Sequence, residues 1–382
     1  MAEHYSLYDS NTLSRLEEND STLSWLDLWA NELGVEGSKV ISAILQYNTM
    51  LHTLSLNSNN IGDEGVCAIC VVLQTNTSLC YLSLVLNNIG YAGAKAISTV
   101  LQTNSSLQRL ILDSNNIGDK GAEAIGIALQ RNCTLLVLSL KTNVIKVEGV
   151  NAICAGLYMN STLTTLSLNL NPIGDLGAKA LAVVLYHNKT LKSLDLKNTR
   201  FGEQGIWAIC AALQVNCTLE ALYIDFNKIG DNGARALSAA LVLNKKLALL
   251  NACNVNIGNI GARYIASALL INTTLIRLNL YENSMIGDEG VAAFRDALRR
   301  NTTLRSLRLS IDDDPTICSL LLRNKRAWSS NQCWSSALHQ SFEKGCTALL
   351  CATLLFGKHL FPAMPTQIWM FIFSFLKRKH FK

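Results

Sequence analysis

Two cysteines with the spacing of a redox or zinc motif, Cys67 and Cys70, form the most chemically suggestive pair in this 382-residue chain. A zinc site would require a second pair of Cys or His residues at a matching distance, and none follows. Cys70, Cys154 and Cys210 instead recur at one position of a repeated segment, where other copies have serine or alanine. We therefore expect these cysteines to fill small spaces in a core, and we expect no metal site.

Gly-Asp pairs form a second regular series, whose carboxylates could hold a cation. They occur at Gly62-Asp63, Gly118-Asp119, Gly174-Asp175, Gly230-Asp231 and Gly287-Asp288. Each pair lies at a turn before a helical pattern, where an aspartate stabilises the helix N-terminus through capping and the helix dipole. The series therefore predicts a structural role.

Motifs of enzymatic chemistry are absent from the sequence. It has no GxxxxGK[ST] phosphate loop, no HExxH and no GxSxG, and its six histidines are scattered. We predict a protein without enzymatic activity, catalytic residues or cofactors. The Asn-x-Ser/Thr sequons belong to the repeated segment, and without a secretory signal we expect them to be unmodified. These sequons include Asn132, Asn160, Asn188, Asn216, Asn272 and Asn301.

One repeated segment of 28 residues contains most of these features and determines the elements that position them. The copy Leu51–Ser78 reads LHTLSLNSNNIGDEGVCAICVVLQTNTS. It opens with alternating apolar and polar residues, as in a strand, and continues as a helix with an inward apolar stripe that ends in Leu73. The ten copies begin at Leu23, Leu51, Leu79, Leu107, Leu135, Leu163, Leu191, Leu219, Leu247 and Leu275, and an eleventh strand begins at Leu304.

Two positions of the repeat have a clear structural purpose. Asparagine at position nine of most copies is predicted to bond backbone groups where the chain leaves the strand. Glycine at position fifteen of all ten copies fits a positive φ or a close backbone approach. One strand and one helix cannot bury their apolar faces alone, so stacked copies must share a core. Because strands stack about 4.8 Å apart and helices need roughly 8–10 Å, the stack bends with the strands inside.

The pattern L-x-x-L-x-L-x-x-N-x-I-G-D-x-G, followed by a helix, resembles the ribonuclease-inhibitor type of leucine-rich repeat. This type is also found in NLR immune receptors and in the activators of the Ran GTPase. The resemblance implies an α/β fold: a leucine-rich repeat horseshoe solenoid with parallel strands inside, helices outside and a helical C-terminal extension. It implies no particular function, because this scaffold serves many binding tasks.

Charge and composition divide the chain into four predicted parts. We expect an N-terminal cap at 1–22, the repeat domain at 23–309, a helical cap or linker at 310–360, and a final helix with a basic end at 361–382. Residues 310–382 hold nine basic and four acidic residues, which equals the net charge of +5 of the whole chain, so residues 1–309 together carry no net charge. Without a large positive charge they lack the basic surface expected of a nucleic-acid binder.

The cellular compartment is predicted from the N-terminus and the cysteines. The first residues have neither a basic start nor an apolar core, so they do not form a signal peptide. Twelve cysteines in such a chain are typical of a reducing compartment. We therefore predict a cytoplasmic protein, or one that enters the cytoplasm of a host cell if it is a secreted effector.

The strand positions on the inside of the horseshoe form the predicted binding surface for a protein target. Exposed aromatic residues among charged ones are candidate anchors. The alternative for Trp25 and Trp29 is that the N-terminal cap covers them, and for the charged residues it is an ordinary solvated strand face. The candidates are Trp25, Trp29, Tyr81, Lys192, Asp195, Lys197, Tyr223, Asp225, Phe226, Arg277, Tyr281 and Glu282.

The C-terminal segment from Phe361 to Leu376 resembles the opening of an F-box, Leu-Pro-x-Glu-Ile followed by an apolar helix. Gln367 replaces the usual acid, and the rest of an F-box is absent. The resemblance implies that this segment binds a Skp-type adaptor of a cullin ubiquitin ligase. Two alternatives are a helix that packs on the protein's own core and an interfacial membrane contact. The matching residues are Pro365, Ile368, Trp369, Ile372, Phe373, Phe375 and Leu376.

Together these features predict a non-enzymatic interaction scaffold that captures a protein target on its concave face. The favoured role is a substrate receptor of a ubiquitin ligase or a host-manipulating effector. The alternatives are a regulator of a signalling protein or small GTPase, by analogy with the Ran activators, and a plain inhibitor scaffold.

Overall fold

The strands of the repeats form one parallel sheet. The computed structural model describes residues 10–310 and 314–327 of the chain. Within these residues the sheet has eleven strands in the order of the sequence. The strands are β1 Trp25–Asp27, β2 Thr53–Ser55, β3 Tyr81–Ser83, β4 Arg109–Ile111, β5 Val137–Ser139, β6 Thr165–Ser167, β7 Ser193–Asp195, β8 Ala221–Tyr223, β9 Leu249–Asn251, β10 Arg277–Asn279 and β11 Ser306–Arg308.

A helix follows each of the first ten strands, and further helices stand at the two ends of the described region. Helix α1, Ser10–Glu17, precedes the first strand. The last described helix, α12, comprises residues 315–327. The intervening helices are α2 Gly34–Leu45, α3 Gly62–Leu73, α4 Tyr91–Leu101, α5 Gly118–Leu129, α6 Val147–Met159, α7 Gly174–His187, α8 Glu203–Leu213, α9 Gly230–Leu243, α10 Asn259–Leu269 and α11 Asp288–Arg300.

The apolar positions of the repeat meet in one continuous core between the strands and the helices. Leu54 and Leu56 from the strand segment are fully enclosed, and so is Ile69 from α3. Equivalent residues of neighbouring repeats are in register, as in the pairing of Leu26 with Leu54. These contacts confirm the predicted fold class, an α/β leucine-rich repeat horseshoe solenoid.

The asparagines at position nine form the predicted ladder. The side chain of Asn59 accepts a hydrogen bond from the backbone N–H of Asn31 at 2.8 Å and donates one to the carbonyl of Leu28 at 2.7 Å. Each amide therefore satisfies buried backbone groups of the preceding repeat. Thr199 interrupts the series, and its hydroxyl donates instead to the carbonyl of Leu196 in its own repeat.

A second asparagine ladder runs along the opposite end of the repeat, and the sequence analysis did not identify it. The side chain of Asn132 donates to the carbonyl of Leu101 in the preceding repeat and accepts the N–H of Leu135. Asn324 in α12 donates in the same way to the carbonyl of Leu304. The asparagines of the six sequons named above are thus buried structural residues, because their amides are bonded within the fold.

The Gly-Asp pairs cap helices, but not the helices that were predicted. The carboxylate of Asp175 makes no cap hydrogen bond at the start of its own helix α7. It accepts the N–H groups of Gly202 and Gly205, both at 2.8 Å, at the start of α8 in the next repeat. The start of α6 at Lys146, which lacks a Gly-Asp pair, is likewise capped by Asp119 of the preceding repeat. The predicted hydrogen-bond capping within one repeat was therefore wrong, because Asp63, Asp119, Asp175 and Asp231 cap the helix of the next repeat. All five aspartates nonetheless lie in the first turn of their own helix, where the helix dipole favours a carboxylate as predicted.

The C-terminal part of the chain is described only through α12. Asp314 caps this helix by accepting the N–H of Ile317 at 2.9 Å, and it also pairs with Arg295 at 2.6 Å. Among the described helices, none has the length and apolar character required to cross a membrane. The F-box-like segment at 361–382 lies outside the described residues.

Candidate functional site

The candidate surface is the strand face that points away from the helices. Side chains alternate across a strand, so the central residue of each strand enters the core and its two neighbours face outward. Tyr223 in β8 and Asp195 in β7 are outward residues, and their Cα atoms are register partners. The same face continues beyond the ends of β7 and β8, where Lys197 and Asp225 lie.

The structure separates the predicted site residues into two groups. Trp25, Trp29 and Tyr81 belong to repeats 1 and 3, counted from Leu23, whereas the other nine belong to repeats 7 to 10. Trp25 and Trp29 are 41% and 49% exposed, respectively. The ring of Tyr81 lies under the guanidinium of Arg109 at 5.7 Å. The two groups are thus separated by the strands β4, β5 and β6 of repeats 4 to 6.

Lys197, Tyr223 and Asp225 form the centre of the larger group. The ammonium of Lys197 lies 4.7 Å from the centroid of the Tyr223 ring, a cation–π contact, and 3.8 Å from Oδ2 of Asp225. Oδ1 of Asp225 accepts the backbone N–H of Cys253 at 3.0 Å. Oδ2 is enclosed and, among the described residues, has no hydrogen-bond partner. Asp225 was expected on an exposed face, but it is only 3% exposed.

Burial shifts the pKa values of the acidic groups at this centre. Burial raises the pKa of Asp225 despite the nearby N–H of Cys253 and ammonium of Lys197. It also raises the pKa of Asp195, whose carboxylate accepts the N–H of Lys197 at 3.1 Å and a 3.4 Å bond from Asn169. Burial is the main cause that raises the pKa of Cys253 to about 11, so its thiol lines the site as an uncharged group.

The equivalent aspartate of an earlier repeat lies in a more open environment. Asp113 stands at the same repeat position as Asp225, and its Oδ1 accepts both the N–H of Lys141 and the hydroxyl of Ser139. Oδ1 of Asp225 accepts the corresponding N–H, that of Cys253. The two residues differ in burial, because Asp113 is half-buried whereas Asp225 is enclosed.

Phe226 occupies a backbone conformation that disfavours its side chain. Its φ of 60° lies in the left-handed region, which costs most residues other than glycine and asparagine about 1 kcal/mol or more. The equivalent residues Asn198 and Asn254 have the same conformation and a residue type that tolerates it. Phe226 is nonetheless 49% exposed, so burial of its ring in the core does not offset this free-energy cost.

Tyr281 and Glu282 extend the surface into repeat 10. Tyr281 is 49% exposed, and the carboxylate of Glu282 accepts a 3.1 Å bond from the side chain of Asn254. We call Asp195, Lys197, Tyr223, Asp225, Phe226, Tyr281 and Glu282 the aromatic–acidic surface. With its carboxyl groups ionised, it carries three negative charges and one positive charge.

Basic residues lie at the opposite ends of the same strands. Lys192 precedes β7 and lines a hollow of about 390 Å³ together with Glu220 and Lys246, which form an ion pair at 2.9 Å. Arg277 in β10 is exposed. Repeats 7 to 10 thus present a basic margin beside the aromatic–acidic surface.

Two residues of this surface were missed from the sequence. Asn251 and Cys253 were passed over because neither is aromatic nor charged. Their signal was available in the alignment of repeats, which places Asn251 at position five and Cys253 at position seven of the repeat after Asp225. Among the described residues, no group of three His, Cys, Asp or Glu side chains is arranged to hold a metal ion.

Comparison with known proteins identifies the repeats. Eight segments match the family model "Leucine Rich repeat", so the chain is built of leucine-rich repeats. The matched residues are 47–70, 75–98, 103–126, 131–154, 160–182, 187–210, 215–238 and 272–294. A search of curated protein sequences gives no significant match.

Several solved structures are similar to this chain at low identity. Actin-binding site 2 of leiomodin-1 is 21% identical, with a TM-score of 0.40 over 41% of this chain and 95% of that one. The tropomodulin C-terminal domain of Caenorhabditis elegans is 15% identical, with a TM-score of 0.38 over 41% and 97%. An internalin from Listeria monocytogenes is 21% identical, with a TM-score of 0.46 over 81% and 86%. These values establish no shared partner.

Proposed function

We propose that this protein is a non-enzymatic scaffold that binds a protein target through the aromatic–acidic surface of repeats 7 to 10. The observation that carries the proposal is Phe226, a half-exposed aromatic residue held in a conformation that favours asparagine. Leu86 and Leu170 are also exposed in this conformation, and Phe226 differs from them in carrying an aromatic ring on a strand face with charged neighbours. Tyr281 supplies a second exposed ring on the same surface, and aromatic anchors are typical of binding hot spots.

The mixed charge of this region favours a folded protein as the target. Acidic and basic groups lie at opposite ends of the same strands. A partner with complementary charges would therefore bind in one defined orientation along these strands. A nucleic acid would require a continuous basic surface, and Asp195, Asp225 and Glu282 interrupt any such surface here.

A paired affinity-capture experiment tests this function. Tagged wild-type protein, a Tyr223→Ala/Phe226→Ala variant and a Trp207→Ala/Val215→Ala variant of the helix side are compared by quantitative mass spectrometry. Trp207 and Val215 are about as exposed as Phe226. A partner that is lost only from the first variant supports the proposal. A set of partners unaffected by the first variant, or lost only from the second, would show that the concave face is not the binding surface.

For the tail we propose recruitment of a Skp-type adaptor, which would make the protein a substrate receptor of a cullin ubiquitin ligase. The support is the resemblance of 361–376 to the opening of an F-box. Calorimetry of the full-length chain and of an Ile368→Asp/Ile372→Asp variant with a purified adaptor tests it. Micromolar binding by the wild type that the variant loses supports the role, and absence of binding by the wild type refutes it.

A further inference from the structure

A buried carboxylate oxygen without a donor is the least satisfied group on the aromatic–acidic surface. Oδ2 of Asp225 is enclosed, yet it accepts no hydrogen bond from any described residue. Leaving a buried acceptor unpaired costs more free energy than an ordinary hydrogen bond contributes.

Lys197 covers this oxygen without bonding to it. At 3.8 Å from Oδ2 its ammonium is attracted to the carboxylate but is beyond hydrogen-bond distance. The same ammonium is shared with the ring of Tyr223. The Lys197 side chain is 30% exposed and has a flexible four-carbon stem. It can therefore swing toward solvent when another cation enters.

The chemistry of the surface selects one type of incoming group. A carboxylate would add a negative charge to a surface that already has Asp195, Asp225 and Glu282, and an apolar group would leave Oδ2 unpaired. A guanidinium carries five N–H donors, pairs with carboxylates in a bidentate manner and stacks on aromatic faces. It matches both the acceptor at Asp225 and the ring that Lys197 would vacate.

We propose that Lys197 is a placeholder cation, and that the protein target inserts an arginine side chain that displaces it and pairs with Asp225. The arginine then stacks on Tyr223 in place of the ammonium, and its further N–H groups meet the carboxylate of Asp195 on the neighbouring strand. This inference rests on the proposed function, because it takes the target to bind at this surface.

The probe is N-acetyl-arginine methylamide, titrated into the full-length protein by saturation-transfer difference NMR. N-acetyl-citrulline methylamide has nearly the same shape without the charge, and N-acetyl-lysine methylamide has the charge without the fork of donors. We expect the arginine compound to bind in the millimolar range, more tightly than the lysine compound, and the citrulline compound not to bind. Equal signals from arginine and citrulline would overturn the proposal.

Three variants separate the placeholder from a simple charge effect. Lys197→Met removes the competing cation, so arginine binding should strengthen several-fold. Asp225→Asn should weaken it by about tenfold or more. Tyr223→Leu removes the ring on which the guanidinium would stack but keeps every charge, so it should weaken binding by a smaller factor. Binding that is unchanged in Asp225→Asn, or that fails to strengthen in Lys197→Met, contradicts the proposal.

Failure of this inference can be told apart from failure of the proposed function. If the arginine compound does not bind to the wild type or to Lys197→Met, the placeholder is refuted. The capture experiment repeated with a Phe226→Ala/Tyr281→Ala variant is independent of that result, because both rings are exposed and neither belongs to the proposed arginine site. Circular dichroism of every variant verifies that the fold is retained.

Discussion

Replacing Asp225 with asparagine should make the protein more stable, although it removes a charged residue from an ion pair. The amide oxygen of asparagine can still accept the N–H of Cys253, so the existing 3.0 Å bond is kept. What disappears is the enclosed negative charge on Oδ2, which has no donor. The loss of the 3.8 Å attraction to Lys197 acts in the opposite direction.

The direction of the pKa shift indicates which of these effects is larger. Burial raises the pKa of Asp225 above its ordinary value of 3.8 in spite of Lys197, so the native state disfavours the charged form. The native state then binds more protons than the unfolded state, and this group's contribution to stability falls as pH rises from 3.8 through the native pKa. The amide nitrogen that replaces Oδ2 is itself an unpaired buried group, so the gain comes only from removal of the enclosed charge; with the Lys197 attraction lost as well, we expect Asp225→Asn to gain about 1 kcal/mol at pH 7.5.

Urea unfolding at pH 7.5 and at pH 3.5 measures this difference. The variant should have the higher midpoint at pH 7.5, and the two midpoints should converge at pH 3.5, where the aspartate is protonated in both states. Asp113→Asn is the matched control, since its carboxylate already accepts two bonds and should show no gain. A lower midpoint for Asp225→Asn at pH 7.5, or an equal gain in the control, would refute the reasoning.

Three further predictions test the functional and structural positions. Phe226→Asn should raise stability by about 1 kcal/mol and weaken target binding, whereas Leu170→Asn at the equivalent position should raise stability alone, as measured by urea unfolding and affinity capture. Asn115→Ala should cost about 3 kcal/mol or more, because it leaves buried backbone groups unpaired, and the exposed neighbour Asn116→Ala should cost little in the same assay. Asp175→Ala should lower stability by about 1 kcal/mol and speed amide hydrogen exchange at the start of α8; unchanged exchange there would contradict the cap between repeats.

The fold could be predicted from the sequence because every repeat has the same pattern of apolar and polar positions. Leu54 and Leu56 are buried in the structure as the alternation of the strand requires, and Asn59 bonds as its position suggests. The role of Asp175 was predicted only in part, because a capping residue in one repeat and its helix in the next are adjacent in space and not in sequence.

The residue types on the strand face indicate where the site lies. Its hydrogen bonds and ion pairs depend on how the neighbouring repeats are aligned. From the sequence alone, Asp225 is expected to be an exposed charged residue. In the structure it is enclosed, because Lys197 and Cys253 of the neighbouring repeats lie against it. The adaptor-binding role of 361–382 stays a prediction, since those residues lie outside the described structure.

Site-specific photo-crosslinking tests the central claim most directly. Phe226 is replaced by p-benzoylphenylalanine, which keeps an aromatic ring at the centre of the aromatic–acidic surface, and Trp207 on the helix side receives the same replacement as a control. The account predicts a covalent adduct with a protein target at position 226 and none with that target at position 207. Adducts formed only at position 207 would contradict a concave binding surface.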